Sequence, residues 1–244
     1  MRRAFLLPVL LLIAAAPATN KPAPKPKPKP VAPKTVEFRT DDNWLVSASW
    51  RAAKKGRPTV ILTHGVASAR GEWDAFAARL SLSGIGTLLV DLRGHGASLQ
   101  GPDGRSDFAS FDARRVWPRA VNDLRAAAWW LRGRGVPDAK IAFGGASIGA
   151  NLASRAASEA ASAPFLLLLS PAEDYRGVGM TVRPGLKTLA AASPADTHAF
   201  VAVKRLASNP DAKTVFAPKG HGVQLLDDAK TASAIEAWIL SSSK

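Results

Sequence analysis

The stretch Lys140-Ile141-Ala142-Phe143-Gly144-Gly145-Ala146-Ser147-Ile148-Gly149-Ala150-Asn151-Leu152 passes from a short apolar run into small residues at helical spacing. Lys140–Gly144 reads as a buried strand and Ser147–Ala160 as a helix, and the turn between them holds Gly145-x-Ser147-x-Gly149. A tight strand-to-helix turn presses neighbouring backbones together, and glycines two residues either side of the serine relieve that crowding. The turn also lifts the serine hydroxyl clear of the surface, above a helix N-terminus whose positive potential suits developing negative charge. A serine hydroxyl is a weak nucleophile and needs such presentation, together with a base. The blander alternative is a glycine-rich turn in which Ser147 only caps the helix.

Working outward, strands and helices alternate. Val36–Arg39 and Leu45–Arg51 read as two strands joined by a turn at Asp41-Asp42-Asn43, and Pro58–Thr63 as a buried strand. Glu72–Ser83 has helical spacing with Trp73, Phe76, Ala77 and Leu80 on one face, and Thr87–Asp91 is a buried strand ending in an acid. Arg119–Arg132 is a helix striped by Ala120, Leu124, Ala127 and Leu131. Strands follow at Phe165–Ser170, Leu186–Ser193 and Lys213–Ala217, with helices at Thr197–Ala207 and Val223–Leu240. Continuous apolar strands alternating with helices predict an α/β fold, a mostly parallel sheet flanked by helices on both faces. In such sheets functional groups gather in the loops beyond the carboxyl ends of the strands.

Four histidines can supply the base: His64, His95, His198 and His221. Together with the Ser147 turn, the strand-terminal His64-Gly65 and the loop Asp91-Leu92-Arg93-Gly94-His95-Gly96-Ala97-Ser98 resemble the α/β-hydrolase superfamily, most closely its compact bacterial esterases and dienelactone-hydrolase-like serine hydrolases. The resemblance runs from about residue 36 to the end. It implies catalytic partners in the order serine, acid, histidine. Only His198 and His221 follow Ser147; His221, in Lys219-Gly220-His221-Gly222 between the last strand and last helix, matches the family position, while His198 falls in a helix pattern as a surface residue. The acid is Asp196, after the later strand, or Asp174, after the preceding one; the family pattern favours Asp196, leaving Asp174 beside Tyr175-Arg176 as a loop ion pair. The resemblance also implies an oxyanion hole from the backbone N–H groups of Val66 and Ile148. His64 is then a structural ring in its turn, and Asp91, Arg93 and His95 a hydrogen-bonded loop bracing the site floor. Residues 171–185 leave no room for a large lid, so the site is expected to be open.

The implied activity is cleavage of carboxylic esters through an acyl-enzyme, with peptide or amide cleavage by the same fold as the runner-up and a non-catalytic envelope-binding protein as the rival. No cofactor and no metal is implied, and nucleic acid is not an expected partner. The chain has no cysteine, which excludes disulfides, thiolate zinc sites and a catalytic thiol.

The chain has 244 residues, 47% of them hydrophobic, enough for one sizeable core. Its net charge of +14 is unevenly placed: residues 1–35 hold seven basic residues and no acid. Residues 1–18 have the positive start, apolar run and Ala16-Pro17-Ala18 end of a secretory signal peptide, which implies a secreted or periplasmic protein; an uncleaved membrane anchor is the alternative. Residues 19–35 form a Lys/Pro-rich linker, extended because proline fixes φ and removes donors. It is either a spacer or a weak contact to an anionic cell envelope. The resemblance makes residues 36–244 the expected α/β-hydrolase domain.

Overall fold

A computed structural model describes residues 29–243. The expected leader and most of the Lys/Pro linker lie outside the described residues. The main sheet has eight long strands: β1 (Lys34–Arg39), β2 (Leu45–Arg51), β3 (Thr59–Thr63), β4 (Gly86–Val90), β5 (Ile141–Ala146), β6 (Leu166–Leu169), β7 (Thr188–Ala192) and β8 (Ala212–Phe216). Their spatial order is β1-β2-β4-β3-β5-β6-β7-β8. From β4 to β8 all pairs are parallel, and β2 runs antiparallel to both β1 and β4. This is the mostly parallel sheet of the α/β-hydrolase fold, and it is open, not closed into a barrel.

Five helices cover it: α1 (Asp74–Leu82), α2 (Val121–Arg132), α3 (Ile148–Glu159), α4 (Thr197–Leu206) and α5 (Ala229–Ser242). Successive strand residues serve opposite faces. Leu166 and Leu168 pack with α2 and α3, alongside Leu124, Leu131 and Leu152. Leu167 and Leu169 point the other way, toward Phe76 and Leu80 of α1 and Ile235 and Ile239 of α5. Burial on both sides explains why β6 reads as an unbroken leucine run.

The structure departs from the sequence reading in several places. β1 begins at Lys34, and the Val31 N–H donates to Ser81 Oγ at 3.1 Å, so the folded part starts inside the expected linker. The helix expected from Glu72 starts with a 3₁₀ turn, Arg70–Trp73, before α1. The helix expected over Val223–Leu240 is two pieces, a 3₁₀ turn at Gly222–Asp227 and then α5; Asp228 has φ −77° and ψ 113° and caps α5 through its bond to Thr231 N. Between β4 and α2, where the sequence shows no periodic element, the chain forms a small hairpin and short helical turns around Phe108, Phe111 and Trp117.

That excursion is held by a buried ion network. Arg93 is almost wholly buried and donates from Nε and Nη2 to Asp123 Oδ1 at 2.9 and 2.8 Å. Its Nη1 and Nη2 reach the two Asp42 oxygens at 2.6 and 2.9 Å. Asp42 thereby ties the β1–β2 turn to the loop after β4. Burial works against the Asp42 charge, but the bonds from Arg93 and Thr40 prevail and hold its carboxyl at about 2.

Two outcomes are expected. Arg93→Met should lower the unfolding free energy in urea at neutral pH by about 3–5 kcal/mol, because Asp123 is left buried and unpaired. The Asp42 contribution is complete above its unfolded value of about 4 and is lost as pH falls through about 2. Asp42→Asn should therefore flatten the acid limb of a stability-versus-pH curve in that window.

Candidate active site

The site is assembled at the carboxyl ends of β3, β5, β6, β7 and β8. At the end of β5, Ser147 has φ 56° and ψ −128°, a conformation rare for a residue with a side chain. Its N–H donates to Leu169 O at 2.9 Å, pinning the turn to β6. A Cβ on Gly145 would stand 2.3 Å from Gly149 C, and one on Gly149 would stand 2.5 Å from His64 O. The two glycines let β3, β5 and α3 meet backbone against backbone. Thr63 Oγ1 donates to Gly149 O at 3.1 Å and fastens the same junction.

His221 stands in the loop after β8, between Gly220 at φ 101° and Gly222 at φ 60°. Its Nδ1 lies 2.6 Å from Asp196 Oδ2. Asp196 follows β7 and precedes α4, and is much the less exposed of the two. The Gly222 N–H donates to Ser170 Oγ at 2.9 Å. Ser170, fully buried at φ 49°, thus ties the histidine loop to the end of β6.

Asp174 is elsewhere. It is exposed on a two-stranded hairpin, Asp174–Tyr175 and Val178–Gly179, and accepts from Gly177 N at 2.8 Å. The expected ion pair with Arg176 is replaced by this turn cap, which stabilises the positive φ of Arg176 and Gly177. The neighbouring Glu173 pairs with Arg205 of α4. The hairpin is all that occupies the place of a lid. Buried Asn151 of α3 clamps it, donating from Nδ2 to Ala172 O and Val178 O, both at 2.8 Å. His198 is exposed on α4.

The loop after β3 carries the other expected contributors. The Val66 N–H has no protein acceptor among the described residues, and the Ile148 N–H, first in α3, has no intrahelical one. His64 is buried, with Nδ1 2.7 Å from Gly65 O and Nε2 accepting from Leu92 N at 3.0 Å. Burial pushes its pKa down to about 4, so it is a neutral structural ring. His95 is held down in the same way, stacks on Phe108 at 4.2 Å and has Nδ1 2.9 Å from Arg93 O. Asp91 accepts from Arg70 Nη1 and Arg70 N, each at 2.7 Å, and from Ala97 N at 2.9 Å. These groups brace the floor as the sequence suggested.

Ser147 and His221 face one cavity of about 490 Å³, bordered also by Val66, Ser68, Glu72 and Asp227. A cleft of about 410 Å³ lies by the hairpin, lined by Ala172, Tyr175, Thr197 and Val201. The Tyr175 hydroxyl neighbours that of Ser147, and burial pushes the phenol up. Sequence reasoning gave neither Tyr175 nor Glu72 a part in the site. Tyr175 is the only tyrosine of the chain, but that fact alone does not locate it. Glu72 carried no signal beyond starting a helix.

This fold, with a serine at such a turn and a histidine–carboxylate pair beside it, defines the α/β-hydrolase class. The family model described as "Serine aminopeptidase, S33" matches residues 54–209, and the chain belongs to that family and is a hydrolase of that class. The match spans Ser147 and Asp196 and ends before His221. Among solved structures, an esterase of Pyrococcus furiosus is 20% identical, with 88% of this chain and 92% of that chain covered and a TM-score of 0.63. EstE1, a thermostable carboxylesterase cloned from a metagenomic library, is 22% identical over 89% and 91%, with a TM-score of 0.62. Dienelactone hydrolase from Anabaena variabilis is 17% identical over 86% and 96%, with a TM-score of 0.63. No curated protein sequence matches the chain.

The crowding at the turn gives a direct check. Gly149→Ala should cost about 2 kcal/mol or more in chemical denaturation, since backbone atoms of β3 must move. Gly71→Ala, whose new methyl meets only Asp74 Oδ2 at 3.8 Å, should stay within about 0.5 kcal/mol.

Proposed function

We propose that the protein cleaves carboxylic esters through a Ser147–His221–Asp196 triad and an acyl-enzyme. The observation that carries this reading is the 2.6 Å contact of His221 Nδ1 with Asp196, made by a histidine that shares a cavity with Ser147. Asp196 holds the ring so that Nε2 faces the cavity, and stabilises the imidazolium when it forms. His221 Nε2 takes the Ser147 proton as Oγ attacks the ester carbonyl carbon. The Val66 and Ile148 N–H groups receive the resulting oxyanion at the positive end of α3. Collapse expels the alcohol, protonated by His221, and water repeats the sequence to release the acid. With His64 and His95 both held neutral by burial, His221 is the histidine suited to proton transfer.

The small hairpin in place of a lid supports access to the site without interfacial opening. The family description favours amide bonds and the similar solved structures favour esters; the ester reading follows those structures. Residues 1–18 support export to the periplasm or beyond.

On p-nitrophenyl esters of increasing chain length, Ser147→Ala should keep its melting temperature and lose about 10⁴-fold or more in kcat. Asp196→Asn should lose up to about 10⁴-fold through the wrong imidazole tautomer, while Asp174→Asn keeps near wild-type turnover. A crippled Asp174 variant with an active Asp196 variant would reverse the assignment of the acid. A matched p-nitroanilide turned over faster than its ester would replace esterase by amidase.

A further inference from the structure

We propose that the leaving group taken by this site carries a positive charge, as an alkylammonium on the alcohol side of the ester. The proposal rests on the hydrolase reading above, because it depends on which side of Ser147 the leaving group lies. A leaving oxygen receives its proton from His221, so it must sit on the His221 side of the scissile bond. The cavity there is bordered by two carboxylates, Glu72 and Asp227, and by no lysine or arginine. That is a local reversal on a chain of net charge +14.

The two acids reach the cavity from opposite elements and are both placed by the catalytic loops. Glu72 is in the turn after β3, where one oxygen accepts from Ser68 Oγ at 2.5 Å and the other from Gly65 N at 3.4 Å. Its carboxylate is thereby fixed beside the loop that bears Val66. Asp227 ends the 3₁₀ turn that begins directly after His221. It is exposed, and its side chain makes no hydrogen bond or ion pair among the described residues.

The second cleft behaves differently. The cleft by the hairpin also borders two acids, Glu173 and Asp174, but Glu173 is paired with Arg205 and Asp174 accepts the Gly177 N–H. Ala172, Tyr175 and Val201 give that cleft an apolar wall. Of the four acids that border these two cavities, Asp227 is the one whose side chain has no hydrogen bond or ion pair among the described residues, and it lies on the His221 side. Burial pushes the Glu72 carboxyl up, and the bonds from Ser68 and Gly65 oppose this; a substrate cation in the cavity acts in the same direction as those bonds.

The test uses two diethyl phosphorothiolates whose leaving thiols have one shape, 2-(trimethylammonio)ethanethiol and 3,3-dimethylbutanethiol. In each, the Ser147 Oγ–P bond forms, the P–S bond breaks, and the serine proton passes through His221 to the departing sulfur. Divided by the corresponding ratio for hydroxide, which removes the greater acidity of the cationic thiol, the rate of thiol release from the wild-type protein should favour the cationic reagent by about tenfold or more at low salt. That ratio should fall with added salt and in Asp227→Asn and Glu72→Gln. Equal rates after that division, or faster reaction of the neutral reagent, would overturn the proposal, as would a cationic preference unchanged in both variants. No reaction with either reagent in a protein that turns over p-nitrophenyl acetate would overturn it too, since the cavity then does not take these leaving groups. Loss of p-nitrophenyl acetate turnover as well would overturn the hydrolase reading itself.

Discussion

At the junction of β5 and α3 three backbone segments are in van der Waals contact, and the rest of the site is organised around that contact. Gly145 packs on Gly149, and Gly149 packs on the carbonyls of Thr63 and His64. Only residues without a Cβ permit this approach. It forces Ser147 into a positive-φ conformation, which costs of order 1–3 kcal/mol and is repaid by the surrounding sheet. The same contact fixes the loop after β3, with Val66, relative to the first turn of α3, with Ile148. A single constraint thus sets the serine and both candidate oxyanion donors.

A second tier of polar contacts locates everything else against that junction. Ser170, itself at positive φ, receives the Gly222 N–H and so sets the depth of the His221 loop. Asn151, one helical turn after Ser147, clamps the hairpin that brings Tyr175 toward the serine. Arg93 and Asp91 brace the loop after β4, against which the His64 and His95 rings pack. Burial divides the histidines: two are enclosed and neutral, while His221 is solvent-accessible and paired with a carboxylate.

Much of this was legible from sequence, for physical reasons that differ by element. The buried strands announced themselves because both faces are covered, so that Thr59–Thr63 and Leu166–Leu169 carry no polar alternation. The serine turn was legible because a backbone contact leaves a fixed glycine spacing, and chain order narrowed the histidine. Legibility failed where position depends on long-range folding. Asp174 and Asp196 follow successive strands in similar Ser-Pro-Ala contexts, and only the tertiary fold carries one of them to His221. The excursion between β4 and α2 has no period because Phe108, Phe111 and Trp117 pack as single anchors. Glu72 and Tyr175 enter the site from a turn and a hairpin tip, which no local pattern marks. Val31 and Lys34 looked like linker by composition, yet a hydrogen bond to Ser81 and pairing with β2 draw them into the fold.

The central claim, that Ser147 is a nucleophile activated by His221, is tested most directly by reaction with a fluorophosphonate followed by peptide mapping. The account predicts a single adduct on Ser147 in the wild-type protein, formed at a rate that collapses in His221→Ala while the fold persists. An adduct on another residue, or unchanged labelling of Ser147 without His221, would contradict it.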